Sequence, residues 1–131
     1  MAENGVVGMD HISFICADLS KSVPFYQAVF DATILPRPEL GFPGAWLDLG
    51  AGVVLHLLQL PDPDAGVIRP EHGGRDKHIA LAVAATEPFA QRLTGLGVAL
   101  TRSKSGRDAL FFRDLDGNAI ELCGNAEDST A

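Results

Sequence analysis

The stretch GNAIELC, Gly117–Cys123, sets a glutamate inside a run that otherwise reads as a core strand, and GVVLHLL, Gly52–Leu58, does the same with a histidine. In both, a glycine stands four residues before the ionisable side chain. Short apolar runs bounded by glycine are strand signals. Side chains alternate between the two faces of a strand. Glu121 therefore shares a face with Ala119 and Cys123, opposite Ile120 and Leu122, and His56 shares one with Val54 and Leu58. Taken alone, either could be a surface group on a half-exposed sheet.

Working outward, the same order of elements occurs twice. Val6–Ala17 reads as a strand containing His11. Residues 18–31 read as a helix, with Ser20 or Ser22 as cap, Pro24 in the first turn, and Val23, Tyr26, Val29 and Phe30 at helical spacing. Strands are expected at Thr33–Leu35, Ala45–Leu49 and Val53–Leu60. Residues 61–76, rich in Pro, Gly and charge, read as a linker. A second strand follows at Lys77–Ala84 with His78 inside it. Thr86 caps a second helix lined by Phe89, Leu93 and Leu96 and ended by Gly97, before strands Val98–Arg102, Ala109–Arg113 and Ala119–Leu122.

The two halves overlay. His11-Ile12 corresponds to His78-Ile79 at an offset of 67 residues; Trp46-Leu47 to Phe111-Phe112, Gly52 to Gly117 and His56 to Glu121 all stand 65 apart. A near-constant offset marks an internal repeat. The sequence thus predicts an α+β fold of two βαβββ modules, residues 8–60 and 77–124, with a tail at 125–131. One helix and a small sheet bury too little surface to stand alone, so the modules must pack with one another or with a second chain. By alternation His11, His56, His78 and Glu121 all point away from the helices, and the neighbours of His11 and His78 on that side are small. Clustered His and Glu are what a divalent transition metal requires.

Composition narrows the partners. A net charge of −7 and a pI of about 4.8 argue against nucleic acid or an anionic membrane as partner. No apolar run approaches the ~20 residues that span a bilayer. The first ten residues lack a basic segment followed by an apolar core. Cys16 and Cys123 sit in apolar runs and read as reduced, buried thiols of a cytoplasmic protein.

DHISF at 10–14, SVPFYQAVF at 22–30, LHLLQ at 55–59, KHIAL at 77–81 and FFRDLDGNAIEL at 111–122 together resemble the vicinal oxygen chelate superfamily of glyoxalase I, extradiol dioxygenases and bleomycin- and fosfomycin-resistance proteins. The look is nearest to lactoylglutathione-lyase-like proteins and covers roughly residues 8–124. The resemblance implies sheets that curl into a cup around a divalent metal. Carried over, His11 and His78 match the first-strand ligands, and His56 and Glu121 the last-strand ligands. Four ligands leave two octahedral positions for substrate oxygens, and Glu121 is the candidate general base. Histidine at position 56, where a carboxylate or Gln is frequent, makes the site nitrogen-rich and favours Zn, Ni, Co or Fe over Mg.

Around that site Arg37 is a candidate grip on a substrate carboxylate or a solvated loop arginine. Trp46 either lines the cup or fills core, Cys123 either touches substrate or packs as a core thiol, and His72 reads as a surface group. The expected activity is a metal-dependent lyase or isomerase of glyoxalase I type on a small-molecule substrate. An extradiol dioxygenase using His11, His78 and Glu121 on iron is the alternative, and a binding protein without chemistry a third. Open sheet edges and apolar helix faces lead to an expected homodimer.

Overall fold

The computed structural model describes residues 4–124. It divides after Pro61 into two compact units, with residues 62–76 belonging to the second. The chain is α+β, and each unit is one βαβββ module. In the first, β1 (Ile12–Cys16), α1 (Leu19–Phe30), β2 (Thr33–Leu35), β3 (Gly44–Asp48) and β4 (Val54–Gln59) form a mixed sheet in the order β1-β4-β3-β2. In the second, β5 (His78–Ala82), α2 (Glu87–Gly95), β6 (Leu100–Arg102), β7 (Ala109–Arg113) and β8 (Ala119–Cys123) repeat it as β5-β8-β7-β6. A short 3-10 turn at Gly73–Arg75 precedes β5.

The repeat extends to register. β1 runs parallel to β4 with Ser13 opposite His56, and β5 parallel to β8 with Ala80 opposite Glu121. Across the antiparallel pairs Trp46 faces His56 and Phe111 faces Glu121. The turns before the last strands hold Gly52 at φ 77° and Gly117 at φ 85°, a left-handed conformation that a Cβ disfavours. The opposite parity forms the core: Leu47, Leu55 and Leu57 with Tyr26 and Val29 of α1 in one unit, and Leu110, Ile120 and Leu122 with Leu93 of α2 in the other, are buried. Burying each such side chain stabilises the fold by roughly 1.5–3 kcal/mol.

Local chemistry moves several expected boundaries. The cap of α1 is Asp18, whose Oδ1 accepts from Ser20 N at 2.9 Å and from Ser20 Oγ at 2.6 Å. Ser20 and Ser22 lie inside the helix instead. Pro24 is the sixth helical residue, past the first turn, where its missing N–H removes one i→i−4 bond. Strand β1 is shorter than Val6–Ala17: its ladder with β4 starts at Ile12 opposite Leu55, and β4 begins one residue earlier at Val54, so residues 6–10 lie beyond its reach. His11 immediately precedes β1 rather than lying within it. At α2, Thr86 occupies the cap position but makes no side-chain cap bond; its hydroxyl donates to Asp108 Oδ1 at 2.6 Å. Leu96, placed on the apolar helix face by spacing, is 47% exposed just beyond the helix end, with Gly97 following at φ 75°.

Candidate metal centre

The first unit contributes a stack of three rings. His56 on β4 lies between Trp46, centroids 4.3 Å apart and 6° from parallel, and His11, 3.8 Å and 16°. Cross-strand pairing dictates the Trp46 contact, since the two residues are direct partners on one face. Burial pushes the His56 imidazole below the usual histidine range; His11 and Arg37 push the same way and Asp10 opposes them. A neutral imidazole keeps a lone pair for a cation. His11 Nδ1 meets Asp10 Oδ1 at 2.7 Å. An ionised carboxylate only accepts, so Nδ1 carries the proton in this contact. Arg37 NH2 donates to the Phe42 carbonyl at 3.0 Å, and its guanidinium rests over the Phe42 ring and beside Gly44.

The second unit contributes a polar chain on the matching face. His78 Nδ1 lies 2.8 Å from the Asp76 carbonyl oxygen, and Nε2 lies 3.1 Å from Glu121 Oε1. A carbonyl accepts and never donates, so Nδ1 again holds the proton. Glu121 is 5% exposed. Its other oxygen, Oε2, accepts from Arg107 NH2 at 2.7 Å and from the Cys123 thiol at 3.3 Å. Burial and the adjacent Glu121 carboxylate push the Cys123 thiol up, with Arg107 pulling part of the way back. Cys123 is thus a poor nucleophile and a weak donor, half-exposed rather than core, whereas Cys16 is buried. Phe111 packs edge-on against His78 at 5.4 Å and against His72 at 4.6 Å. His72 is half-buried, with Nδ1 2.6 Å from Thr101 Oγ1, so it is not the solvated group the sequence suggested. A cleft of about 260 Å³ lined by Gly73, Leu100, Thr101, Phe111 and their neighbours shares Phe111 with this cluster.

The donor set fits a divalent cation. Glu121 Oε1 and the Nε2 of an Nδ1-protonated His78 are both acceptors, and two acceptors 3.1 Å apart repel unless a proton or a metal lies between them. Each first-strand histidine has its far nitrogen tied to oxygen, the second-layer bond that metal-bound histidines make. Among the described residues no group of three or more His, Cys, Asp or Glu side chains is gathered so as to hold one ion. The structure brings His11 to His56 in the first unit and His78 to Glu121 in the second. Sequence reasoning missed Arg107, Asp76 and Asp10. Asp10 was visible beside His11 in DHISF; an arginine in an exposed loop and a backbone carbonyl leave no pattern to read.

Residues 8–122 match the Glyoxalase/Bleomycin resistance protein/Dioxygenase superfamily, and the chain belongs to it. It is 33% identical over 124 residues, 90% of this chain and 71% of the relative, to Glyoxylase I 4 of Arabidopsis thaliana. It is 34% identical over 128 residues, 93% and 78%, to the metallothiol transferase FosB of Bacillus licheniformis. Among solved structures the fold resembles the Listeria monocytogenes fosfomycin resistance protein FosX complexed with Mn(II) and sulfate (TM-score 0.71, 22% identity, 92% of each chain). It also resembles a glyoxylase/bleomycin resistance protein/dioxygenase domain from Frankia (TM-score 0.70, 24% identity, 91% of this chain and 98% of that one). No helix among the described residues is long and apolar enough to cross a membrane.

Proposed function

We propose that this chain is a divalent-metal-dependent lyase or isomerase of glyoxalase I type. His11, His56, His78 and Glu121 hold the ion, and a small substrate offers it two neighbouring oxygens. The observation that carries the reading is the 3.1 Å approach of His78 Nε2 to Glu121 Oε1 with His78 Nδ1 already committed to a carbonyl. A nitrogen-rich set favours Zn, Ni, Co or Fe.

When bound, the cation supplies Lewis-acid polarisation of the substrate oxygens. The chain's own part is to place and move a proton. Glu121 has a second oxygen, Oε2, that can take a proton from a substrate carbon and return it to a neighbouring one. Arg107 and Cys123 hold that oxygen, and with a side chain 62% exposed Arg107 is free to swing toward solvent when substrate arrives. His56 has no equivalent second site once one nitrogen is bound and the other protonated. Trp46 stacks on His56, Phe111 and the cleft beside it receive the apolar part of the substrate, and Arg37 stands near His56 as a cation.

The 34% identity to FosB favours a second reading, metal-dependent thiol transfer, on the same ligands. One screen separates the readings. The protein is stripped with a chelator, reloaded with Zn, Ni, Co, Mn or Fe(II), and given hemithioacetals, fosfomycin with a thiol, or catechols with dioxygen. Isomerisation of a hemithioacetal that disappears on chelation and returns with metal supports the lyase. Thiol addition to fosfomycin alone replaces it with the transferase, and catechol cleavage with Fe(II) alone replaces it with the dioxygenase. Binding of a compound without turnover under any metal leaves a binding protein. The assembly we propose is a homodimer; a monomer mass by light scattering at micromolar concentration contradicts it.

A further inference from the structure

The segment 62–76 stands between the two modules in sequence, and besides the His72–Thr101 contact it is tied to the second one by Arg113. Arg113, at the end of β7, donates from NH1 to Asp76 Oδ2 at 2.8 Å and to the Gly117 carbonyl at 2.8 Å, and from NH2 to the Pro70 carbonyl at 2.5 Å. Its side chain is 22% exposed and that of Asp76 12%. Arg69 adds a longer contact to Asp76 Oδ1 at 3.4 Å. The Asp76 peptide is pinned as well: its N–H donates to the Gly73 carbonyl at 3.1 Å, and Oδ1 accepts from Lys77 N at 2.8 Å. Gly73 is seated on the sheet, where an added Cβ would come within 3.2 Å of Ala119 Cβ. What this fixed peptide presents is its carbonyl, and that carbonyl takes the His78 Nδ1 proton.

We infer that Arg113 is a positioning residue for His78: by clamping Asp76 it fixes the carbonyl that takes the His78 Nδ1–H and so keeps Nε2 turned to Glu121. The inference rests on the proposed metal site only for its consequence, not for its geometry. The repeat supplies the contrast. In the first module the group opposite His11 Nδ1 is the carboxylate of Asp10, 95% exposed, and no arginine among the described residues clamps it. The second module's histidine is therefore held ready, while the first module's rests on a solvated side chain. Outer bonds of this kind tune metal affinity by about 10–100-fold.

The test uses the full chain labelled with 15N-histidine, as Arg113→Met and, because that variant removes three bonds at once, as Asp76→Asn, which keeps the backbone carbonyl and the side-chain size. Two readouts are taken on each: the solvent exchange of the His78 Nδ1–H in metal-free protein, and the dissociation constants of Zn and Co by competition with a chromophoric chelator. Thermal unfolding identifies folded samples. The expected result is a His78 Nδ1–H that exchanges faster with solvent in both variants, with metal affinity lower by about 10–100-fold and His11 shifts unchanged. Rescue of the slow exchange in Arg113→Lys, which keeps the cation, is expected to be partial. A His78 Nδ1–H as slowly exchanging as the parent's in the folded variants, with affinity within threefold of the parent, overturns the inference. If the parent chain binds neither Zn nor Co, the metal reading fails by itself and the Nδ1–H readout still decides the role of Arg113.

Discussion

His78 and Glu121 meet diagonally across the parallel β5–β8 ladder: in register His78 stands opposite Ala119 and Glu121 opposite Ala80, yet Nε2 and Oε1 close to 3.1 Å over the small alanines. The first module makes the same diagonal with other chemistry, His11 stacking on His56. Two modules of one architecture thus each bring two of the expected residues together, and the proposed function rests on joining the pairs on one ion.

Glu121 carries two roles in that account, ligand through Oε1 and base through Oε2. Glu121→Gln keeps an oxygen for the metal and loses the proton acceptor. Metal content is expected to stay substantial while turnover falls by roughly 10²–10⁴-fold. His56→Gln should do the reverse, costing affinity more than chemistry at saturating metal. Both are read as kcat with metal content determined on the same samples. Near-normal kcat in metal-loaded Glu121→Gln moves the base elsewhere.

Trp46 covers His56, and burial is the main reason the His56 imidazole lies below the ordinary range. Trp46→Ala exposes the ring, so its pKa should rise toward the ordinary value near ~6.5. The titration is followed by NMR on the metal-free protein. An unchanged or lower pKa would mean that charges from His11 and Arg37, not burial, set the value.

Fold and site were unequally legible. Strand parity, the 65-residue offset and a glycine four residues before each ionisable side chain were all in the sequence, because alternation and spacing can be read from residue type; the left-handed φ of Gly52 and Gly117 came from the structure. The cap of α1 was misread: Asp18 and Ser20 are both capping residues, and the side chain that wins is decided by where the helix starts. The span of β1 was overread because a strand ends where its partner ends, a property of β4 and not of residues 6–10. The wiring of the site, Arg107 on Glu121 and Asp76 on His78, was invisible. Arg107 reaches Glu121 from another strand's loop, and the group on His78 is a backbone carbonyl two residues away, which no side-chain pattern encodes.

The left-handed glycines give a stability prediction. Gly117 sits at φ 85° in the turn where Asp114 Oδ1 accepts from Asp116 N and Asn118 N at 2.9 and 3.0 Å. Gly117→Ala forces a Cβ into that conformation and should cost about 1–2 kcal/mol. Gly52→Ala, its repeat partner at φ 77°, should cost about the same. Urea unfolding measures both; no change in midpoint for either removes the strain argument at that turn.

Asp18 sets part of the acid limb of stability. Its carboxyl is held below the ordinary aspartate value first by the Ser20 hydroxyl, then by the Ser20 backbone N–H, with a smaller pull from Lys21. A lowered folded pKa means that the unfolded chain binds the proton more readily. The contribution is therefore present above the unfolded value near ~4 and is lost as pH falls through the folded one. Asp18→Asn keeps a cap but cannot titrate. Its melting temperature should fall less steeply than the parent's as pH drops below ~4. Parallel curves for the two proteins would place the acid sensitivity at other carboxylates.

The central claim is that four side chains from two modules share one ion, and a crystal structure of the Co(II)-loaded protein phased on the cobalt anomalous signal addresses it most directly. The account predicts one cobalt per chain, with nitrogens of His11, His56 and His78 and an oxygen of Glu121 each at about 2.0–2.3 Å, whether one chain or two supply them. A cobalt bound elsewhere, or bound with either His78 or Glu121 outside its coordination sphere, contradicts it.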